Sequence, residues 1–204
     1  MAVAVLGIAG SARRDGNSGL LLDRALAGAA DAGAATEKVA LVDMALHPCV
    51  CPTSEDCLPA GVCSVQDDMQ ALYPRLLACD LLYVASPIFF RNVTAQLKMM
   101  IDRCQAVWVR KYKLEQDITP GRQAKRKGLF IAVANDAGER EFQAAIITMR
   151  SVFATLNVRY AADLLVGGLE RPGDALQRRD YQARAYELGV RLVREELASQ
   201  AKDA

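Results

Sequence analysis

The sequence predicts a doubly wound α/β domain with a five-stranded parallel sheet in the order 2-1-3-4-5 and helices on both faces. Three observations predict it. Short apolar runs alternate with helical patterns along the whole chain. The apolar runs show little polar alternation, as expected for strands covered on both faces. Turns rich in small polar residues follow the first, third and fourth runs. Neither a repeat nor a linker is visible, so residues 1–204 are interpreted as one domain.

The five strands are expected where branched and other apolar residues cluster between turn signals. They are predicted at Val3–Ile8, Glu37–Val42, Leu81–Ala85, Leu129–Ala134 and in the second half of Val158–Val166. The helices are expected where apolar residues recur every three or four positions. They are predicted at about Ser18–Ala30, Asp67–Ala78, Val93–Val109, Glu139–Leu156 and Asp174–Leu197, with Pro74 bending or dividing the second.

Composition excludes several classes of function. Apolar residues make up 52% of the 204-residue chain and charged residues 24%, with a net charge of +1. This balance gives no electrostatic argument for a nucleic-acid partner. The longest apolar runs are too short to cross a bilayer, so no membrane association is expected. No signal peptide is recognised, which predicts a cytoplasmic protein whose six cysteines are thiols, metal ligands or redox groups.

The turn after the first strand is the first candidate binding site. Gly10–Ser18 lies between an apolar strand and a helix, the arrangement in which backbone N–H groups and the helix dipole favour an anion. Ser11, Arg13, Asn17 and Ser18 can add hydrogen-bond donors. By themselves these residues are equally compatible with an ordinary capped turn.

Two further loops are expected beside that turn. Ser86–Asn92 follows the third strand and Asn135–Gly138 follows the fourth. In the predicted strand order the three loops meet at one crevice, where ligands of such sheets bind. A phosphate at one end and a flat ring between the other two loops describe flavin mononucleotide (FMN). Phe89 and Phe90 support this interpretation, because apolar side chains in a loop directly after Pro87 are poorly explained by a core.

Three segments resemble a known family. Gly10–Ser18, Asp67–Met69 and Ser86–Arg103 are similar to the NADPH-dependent FMN reductases, which have a flavodoxin-like fold. Within that family they most resemble the iron–sulfur flavoproteins. The resemblance covers about residues 3–103, and the rest of the chain matches only in the order of its strands and helices.

The resemblance implies roles for individual residues. Ser11, Arg13, Asn17 and Ser18 match the positions that hold the FMN phosphate. The loop along the ribityl chain and the isoalloxazine ring is matched by Pro87, Ile88, Phe89, Phe90 and Asn92. Asn135 and Asp136 stand at the third flavin loop, where the family usually has a Thr-Gly-Gly-like turn that this chain lacks.

A cysteine-rich loop insertion is expected at about residues 44–64. In the iron–sulfur flavoproteins a cysteine run at this place ligates a [4Fe–4S] cluster, which would make Cys49, Cys51, Cys57 and Cys63 the ligands. Their separations of one, five and five residues differ from the family's usual spacing. The residues leave a cluster, a zinc site and free thiols open. Cys79 and Cys104 are expected to be buried small apolar residues.

The expected function is that of an FMN-dependent oxidoreductase or electron-transfer flavoprotein. No catalytic side chain is nominated, because the flavin itself carries the chemistry. NAD(P)H or a ferredoxin-like protein is the expected donor, a small molecule or redox protein the partner, and a homodimer or homotetramer the assembly. The alternatives are a non-enzymatic flavodoxin-like electron carrier and a nucleotide-binding regulator without flavin.

Overall fold

The fold is built on one parallel sheet. The computed structural model describes residues 2–51, 57, 60–121, 126–136 and 138–202. Their five strands are β1 (Ala4–Ala9), β2 (Ala35–Ala40), β3 (Leu81–Pro87), β4 (Lys127–Val133) and β5 (Arg159–Val166). The order is β2-β1-β3-β4-β5 and every neighbouring pair is parallel. The fold class and strand order predicted from the sequence are confirmed.

Seven α-helices cover the sheet in the described part of the chain. They are α1 (Asn17–Asp31), α2 (Met69–Ala78), α3 (Ala95–Arg103), α4 (Gln105–Tyr112), α5 (Gln143–Thr155), α6 (Asp174–Gln177) and α7 (Arg179–Lys202). Short 3-10 turns occupy Leu41–Asp43 and Glu139–Glu141. None of the described helices is long and apolar enough to cross a membrane.

Several predicted boundaries differ from the structure. The helix expected over 93–109 is two helices, α3 and α4. The Thr94 side chain caps the start of α3 by accepting a hydrogen bond from Leu97 N. Cys104 is the C-cap residue of α3 and the N-cap residue of α4. Helix α2 runs through Pro74 as one piece. Strand β2 lies two residues earlier than predicted, β5 uses nearly the whole stretch rather than its second half, and the last helix divides at Arg178.

The sheet separates two apolar cores. Side chains alternate across β3, so that Leu82 and Val84 enter one core while Tyr83 and Ala85 enter the other. Helices α2, α3 and α5 close the first core, and α1 and α7 close the second. The prediction of helices on both faces is confirmed.

Helices α1 and α7 approach each other backbone to backbone. A Cβ atom placed on Gly28 would lie 2.2 Å from the carbonyl oxygen of Tyr186. One placed on Gly189 would lie 2.0 Å from the carbonyl oxygen of Ala25. Since backbone cannot yield as a flexible side chain can, these two glycines set the distance between the helices.

Gly28→Ala is therefore expected to lower the free energy of unfolding by about 1–3 kcal/mol, the usual cost of overpacking a core. Gly19→Ala in the same helix is the matched control, because its Cβ would meet nothing closer than Arg14 O at 3.5 Å. That variant is expected to be neutral or to gain up to about 1 kcal/mol from helix propensity. Urea unfolding of the two variants measures the difference. Equal stability would contradict the close approach.

Candidate cofactor site

The turn after β1 is fixed by its neighbours in the sheet. Gly10 N donates to Ala85 O at 2.8 Å, and the hydroxyl of Thr94 donates to Gly10 O. A Cβ on Gly10 would lie 2.9 Å from the Cβ of Leu97. The small residue therefore lets the turn pass directly over the start of α3, which joins the first loop to the second.

Helix α1 begins at this turn without a side-chain cap. Gly16 is the N-cap residue, and because glycine has no side chain it cannot cap the first turn. The Ser11 Oγ accepts a hydrogen bond from Arg13 N at 3.0 Å. A Cβ atom placed on Gly16 would lie 2.5 Å from this oxygen, so the glycine lets the hydroxyl approach the start of the helix. The N–H groups of the first helical turn are therefore available to an anion, and the Ser11 hydroxyl can add a further donor. This geometry favours the binding interpretation over an ordinary capped turn.

The loop after β3 forms the second wall. Ile88 N donates to Val133 O at 2.7 Å, which extends the contact between β3 and β4. Phe89 and Asn92 exchange two backbone hydrogen bonds of 2.9 and 3.0 Å around a tight turn. Phe90 and Arg91 adopt positive φ angles of 49° and 64° at its tip. The turn directs Phe89 to the crevice and leaves Phe90 completely exposed.

A cavity of about 290 Å³ lies between these loops at the carboxyl ends of β1, β3 and β4. Eight of the predicted cofactor residues line it, namely Ser11, Arg13, Asn17, Ser18, Pro87, Ile88, Phe89 and Asn135. The convergence of the three loops follows the prediction. Ala137, in the third loop, lies outside the described residues.

Three predicted residues do not line the cavity. The side-chain oxygen of Asn92 accepts hydrogen bonds from Val93 N at 2.8 Å and from the Thr148 hydroxyl at 3.3 Å. The carboxylate of Asp136 accepts from Gly138 N at 3.1 Å in an exposed turn. Phe90 faces solvent. In this structure Asn92 and Asp136 stabilise the loops that carry the lining residues.

A further wall of the cavity lies after β5, where sequence reasoning placed none. The Asn17 amide donates to Arg171 O at 2.9 Å and accepts from Ala175 N at 3.0 Å. These bonds hold the segment after β5 against α1, so that Leu169 and Glu170 line the cavity. Asn17 therefore has a structural partner on each side of its amide. The turn at Gly167–Gly168 indicated a loop after β5 in the sequence. Because β5 is not a neighbour of β1 in the sheet, the sequence did not indicate that this loop reaches the cavity.

Three of the loop cysteines pack beside α4, and the fourth, Cys49, neighbours Cys51. Cys57 and Cys63 are buried against Ala106 and Val109, whereas Cys49 and Cys51 are half-buried. The Cys51 side chain interacts with those of Cys49 and Cys57, and burial together with the neighbouring thiols raises the pKa of Cys57 to about 11. Residues 52–56, 58 and 59 of the loop lie outside the described part of the chain.

The donor chemistry of this group fits an iron–sulfur cluster. It supplies four free thiols, two of them buried. Within the described residues, however, no three His, Cys, Asp or Glu side chains are already arranged to hold a metal ion. Cys79 and Cys104 are buried elsewhere, as expected. The cysteine loop therefore offers the right ligands near one another without forming a completed site.

A buried arginine, which sequence reasoning did not single out, holds this loop. Arg103 Nη1 lies 2.6 Å from the Asp67 carboxylate, and both side chains are at most 1% exposed. Burial would raise the pKa of Asp67, but hydrogen bonds from Arg103 and from the backbone N–H groups of His47 and Met69 lower it well below its usual range. The guanidinium and the carboxylate therefore form a charged pair in the protein interior.

The fold and the site together define a class. A parallel sheet of order 2-1-3-4-5, with a cavity at its topological switch point and an uncapped helix start facing that cavity, is the arrangement of a flavodoxin-like nucleotide-binding protein. The sequence profile of the NADPH-dependent FMN reductases matches residues 3–168. The chain belongs to that family.

Similar proteins agree with this assignment. An iron–sulfur flavoprotein of Methanocaldococcus jannaschii is 38% identical over 99 residues, covering 48% of this chain and 50% of its own length. A Bacillus subtilis protein, provisionally named an NAD(P)H-dependent FMN-containing oxidoreductase, is 30% identical over 186 residues, covering 90% and 92%. The chain spans about half the length of the iron–sulfur flavoproteins that it matches over 99 residues.

Solved structures share the fold. An NAD(P)H:quinone oxidoreductase from Methanothermobacter marburgensis superposes with a TM-score of 0.71 at 22% identity, over 94% of this chain and 100% of the other. An FMN-dependent NADH-azoreductase from Bacillus anthracis, solved with FMN, gives 0.66 at 13% identity, over 93% and 99%.

Proposed function

We propose that this protein is an FMN-dependent oxidoreductase. The observation that carries the proposal is the cavity where the loops after β1, β3 and β4 meet, with the uncapped start of α1 at one end and apolar loop residues at the other. An anionic group and a flat apolar ring are the two parts of FMN that such a cavity would accept. Membership of the FMN reductase family supports this choice of ligand.

The phosphate end would be held by Ser11, Arg13 and the first N–H groups of α1. Ser18 is 2% exposed at the second position of the helix, and its hydroxyl can add a donor. A guanidinium beside a helix start gives a charge-assisted bond to a phosphate oxygen. These groups would fix the cofactor by its charged end and leave the ring to the apolar loop.

The ring end would be held by Pro87, Ile88 and Phe89. Bound FMN supplies the hydride and electron transfer, and the protein supplies position and surroundings. Phe89 is 56% exposed, so a ring that covers it would remove apolar surface from water. Leu169 and Glu170 close the opposite wall. NAD(P)H is the donor that family membership suggests, with a quinone or another small oxidant as acceptor.

The cysteine loop extends the proposal to a second redox group. Cys49, Cys51, Cys57 and Cys63 would hold an iron–sulfur cluster, which passes single electrons when bound. Two observations support it, the convergence of four free thiols and the naming of several relatives as iron–sulfur flavoproteins. A donor that delivers one electron at a time, such as a ferredoxin-like protein, would then suit the site. We also expect the protein to form a homodimer or homotetramer, and light scattering, which measures the mass of the assembly, tests this.

Anaerobic purification with a visible spectrum tests the proposal. We expect a yellow protein with one FMN per chain, whose flavin absorbance is bleached by NAD(P)H and restored by a quinone. Iron and sulfide are measured on the same sample, and zinc is measured as the alternative metal. A colourless protein that does not take up added FMN would contradict the proposal. Tight FMN binding without steady NAD(P)H or ferredoxin turnover would favour the flavodoxin-like electron carrier.

A further inference from the structure

The guanidinium of Arg103 contacts both ends of the cysteine loop. Nη1 donates to His47 O at 3.0 Å, two residues before the first loop cysteine, and Nη2 donates to Val65 O at 2.9 Å, two residues after the last. The third contact is Nε to the Sγ of Cys63 at 3.1 Å. One side chain therefore joins the two ends of the loop and reaches one of the four thiols.

Asp67 makes this arrangement rigid. Its carboxylate accepts from Arg103 Nη1 at 2.6 Å, from His47 N at 2.8 Å and from Met69 N at 3.0 Å. The buried guanidinium is thus surrounded by a carboxylate, two backbone carbonyls and a sulfur, a set of acceptors that a planar fork of donors can satisfy. The point charge of a lysine cannot make all these bonds at once.

A second arginine offers the comparison. Arg126 is also buried, and its Nη2 lies 3.2 Å from the Sγ of Cys79. Its other bonds go to the carbonyls of Cys79, Leu76 and Leu156, at the ends of α2 and α5. It stabilises the core in a similar manner but has no contact with the cysteine loop among the bonds described. A hydrogen bond to a cysteine sulfur therefore does not distinguish Arg103 from Arg126. The position of Arg103 beside the cysteine loop does.

We propose that Arg103 is the positioning residue of the cysteine site. It holds the two ends of the loop together so that the thiols can bind a cluster, and its N–H···S bond to Cys63 would favour the reduced state of a bound cluster. The inference rests on the iron–sulfur part of the proposed function. Its physical basis is that a cluster becomes more negative when it gains an electron, so a hydrogen bond and a positive charge at a ligating sulfur stabilise the reduced form. The potential of the cluster should therefore depend on this side chain.

The test compares Arg103→Lys and Arg126→Lys with the wild-type chain, each reconstituted anaerobically with iron and sulfide. Arg103→Lys is expected to bind at least twofold less iron per chain than the wild type. In the fraction that carries a cluster, the equilibrium constant for one-electron reduction should fall about tenfold, which is a midpoint shift of about 59 mV to more negative values. Arg126→Lys is expected to match the wild type in both measurements. A titration followed by electron paramagnetic resonance gives the midpoint.

FMN content in the same samples separates the possible failures. Arg103 lies at the end of α3 opposite the flavin loops, about 12 Å along the helix axis from its start, so FMN binding should be unchanged. Full iron content and an unshifted midpoint in Arg103→Lys would overturn the inference. The inference also fails if Arg126→Lys loses iron equally, or if the wild type binds FMN but takes up no iron. If the wild type binds FMN but no iron, the proposal of an FMN-dependent oxidoreductase still holds. If the wild type binds no FMN, that proposal is overturned.

Discussion

Asp67→Asn is expected to lower the free energy of unfolding by about 3 kcal/mol at pH 7, because the variant leaves the Arg103 cation buried without its counter-charge. The asparagine keeps the size of the side chain but replaces one accepting oxygen by an NH2 donor, so the loss reports the charge together with the hydrogen bonds to that oxygen. Urea unfolding with far-ultraviolet circular dichroism measures it. Asp68→Asn is the matched control. The exposed carboxylate of Asp68 accepts a hydrogen bond from Ala45 N at 2.7 Å, so its replacement should cost at most about 1 kcal/mol.

The same pair predicts a dependence on pH. The pKa of Asp67 is lower in the folded protein than in the unfolded chain, where it is about 3.9. Its contribution to stability is therefore fully present above about pH 5 and declines as the pH falls through the unfolded pKa towards the folded one. Each pH unit in that window should remove about 1.4 kcal/mol. The stability difference between wild type and Asp67→Asn should thus shrink from pH 5 to pH 2.5. A constant difference would show that the charge of Asp67 does not stabilise the fold.

Replacing Ser11 and Arg13 together by alanine is expected to weaken FMN binding on the order of 100-fold, or about 3 kcal/mol. The two side chains lie at the α1 end of the cavity, and each would contribute a charge-assisted hydrogen bond to the phosphate. Fluorescence quenching of free FMN on titration with apoprotein gives the dissociation constants. Riboflavin, which lacks the phosphate, should bind the variant and the wild type equally.

The control for this pair is Arg14→Ala. Arg14 is exposed, forms an ion pair with Asp43 at 2.5 Å and is not among the residues that line the cavity. FMN affinity should therefore change little in this variant. If the double variant binds FMN as tightly as the wild type, the phosphate lies elsewhere and the proposed orientation of the cofactor is wrong.

Much of the site could be predicted because local patterns set the positions of the loops. An apolar run that ends in Gly10-Ser11 and continues as a helix can only form a β-to-α turn. Parallel strands then bring such turns to one edge. For that reason eight lining residues were predictable, while the exposed position of Phe90 was not. The orientation of Phe90 depends on its positive φ angle at the tip of the Phe89–Asn92 turn. A periodic pattern of apolar residues does not reveal such an angle.

The sequence by itself determined the order of strands and helices, the parallel sheet and the place of the crevice, because these follow from hydrophobic periodicity and the rules of chain connection. Only the tertiary structure decided which distant groups meet. Asn17 binds the segment after β5 from 154 residues away, and Arg103 reaches Cys63 from 40 residues away. Such contacts depend on three-dimensional packing and on the need of buried polar groups for partners, and neither leaves a pattern along the chain.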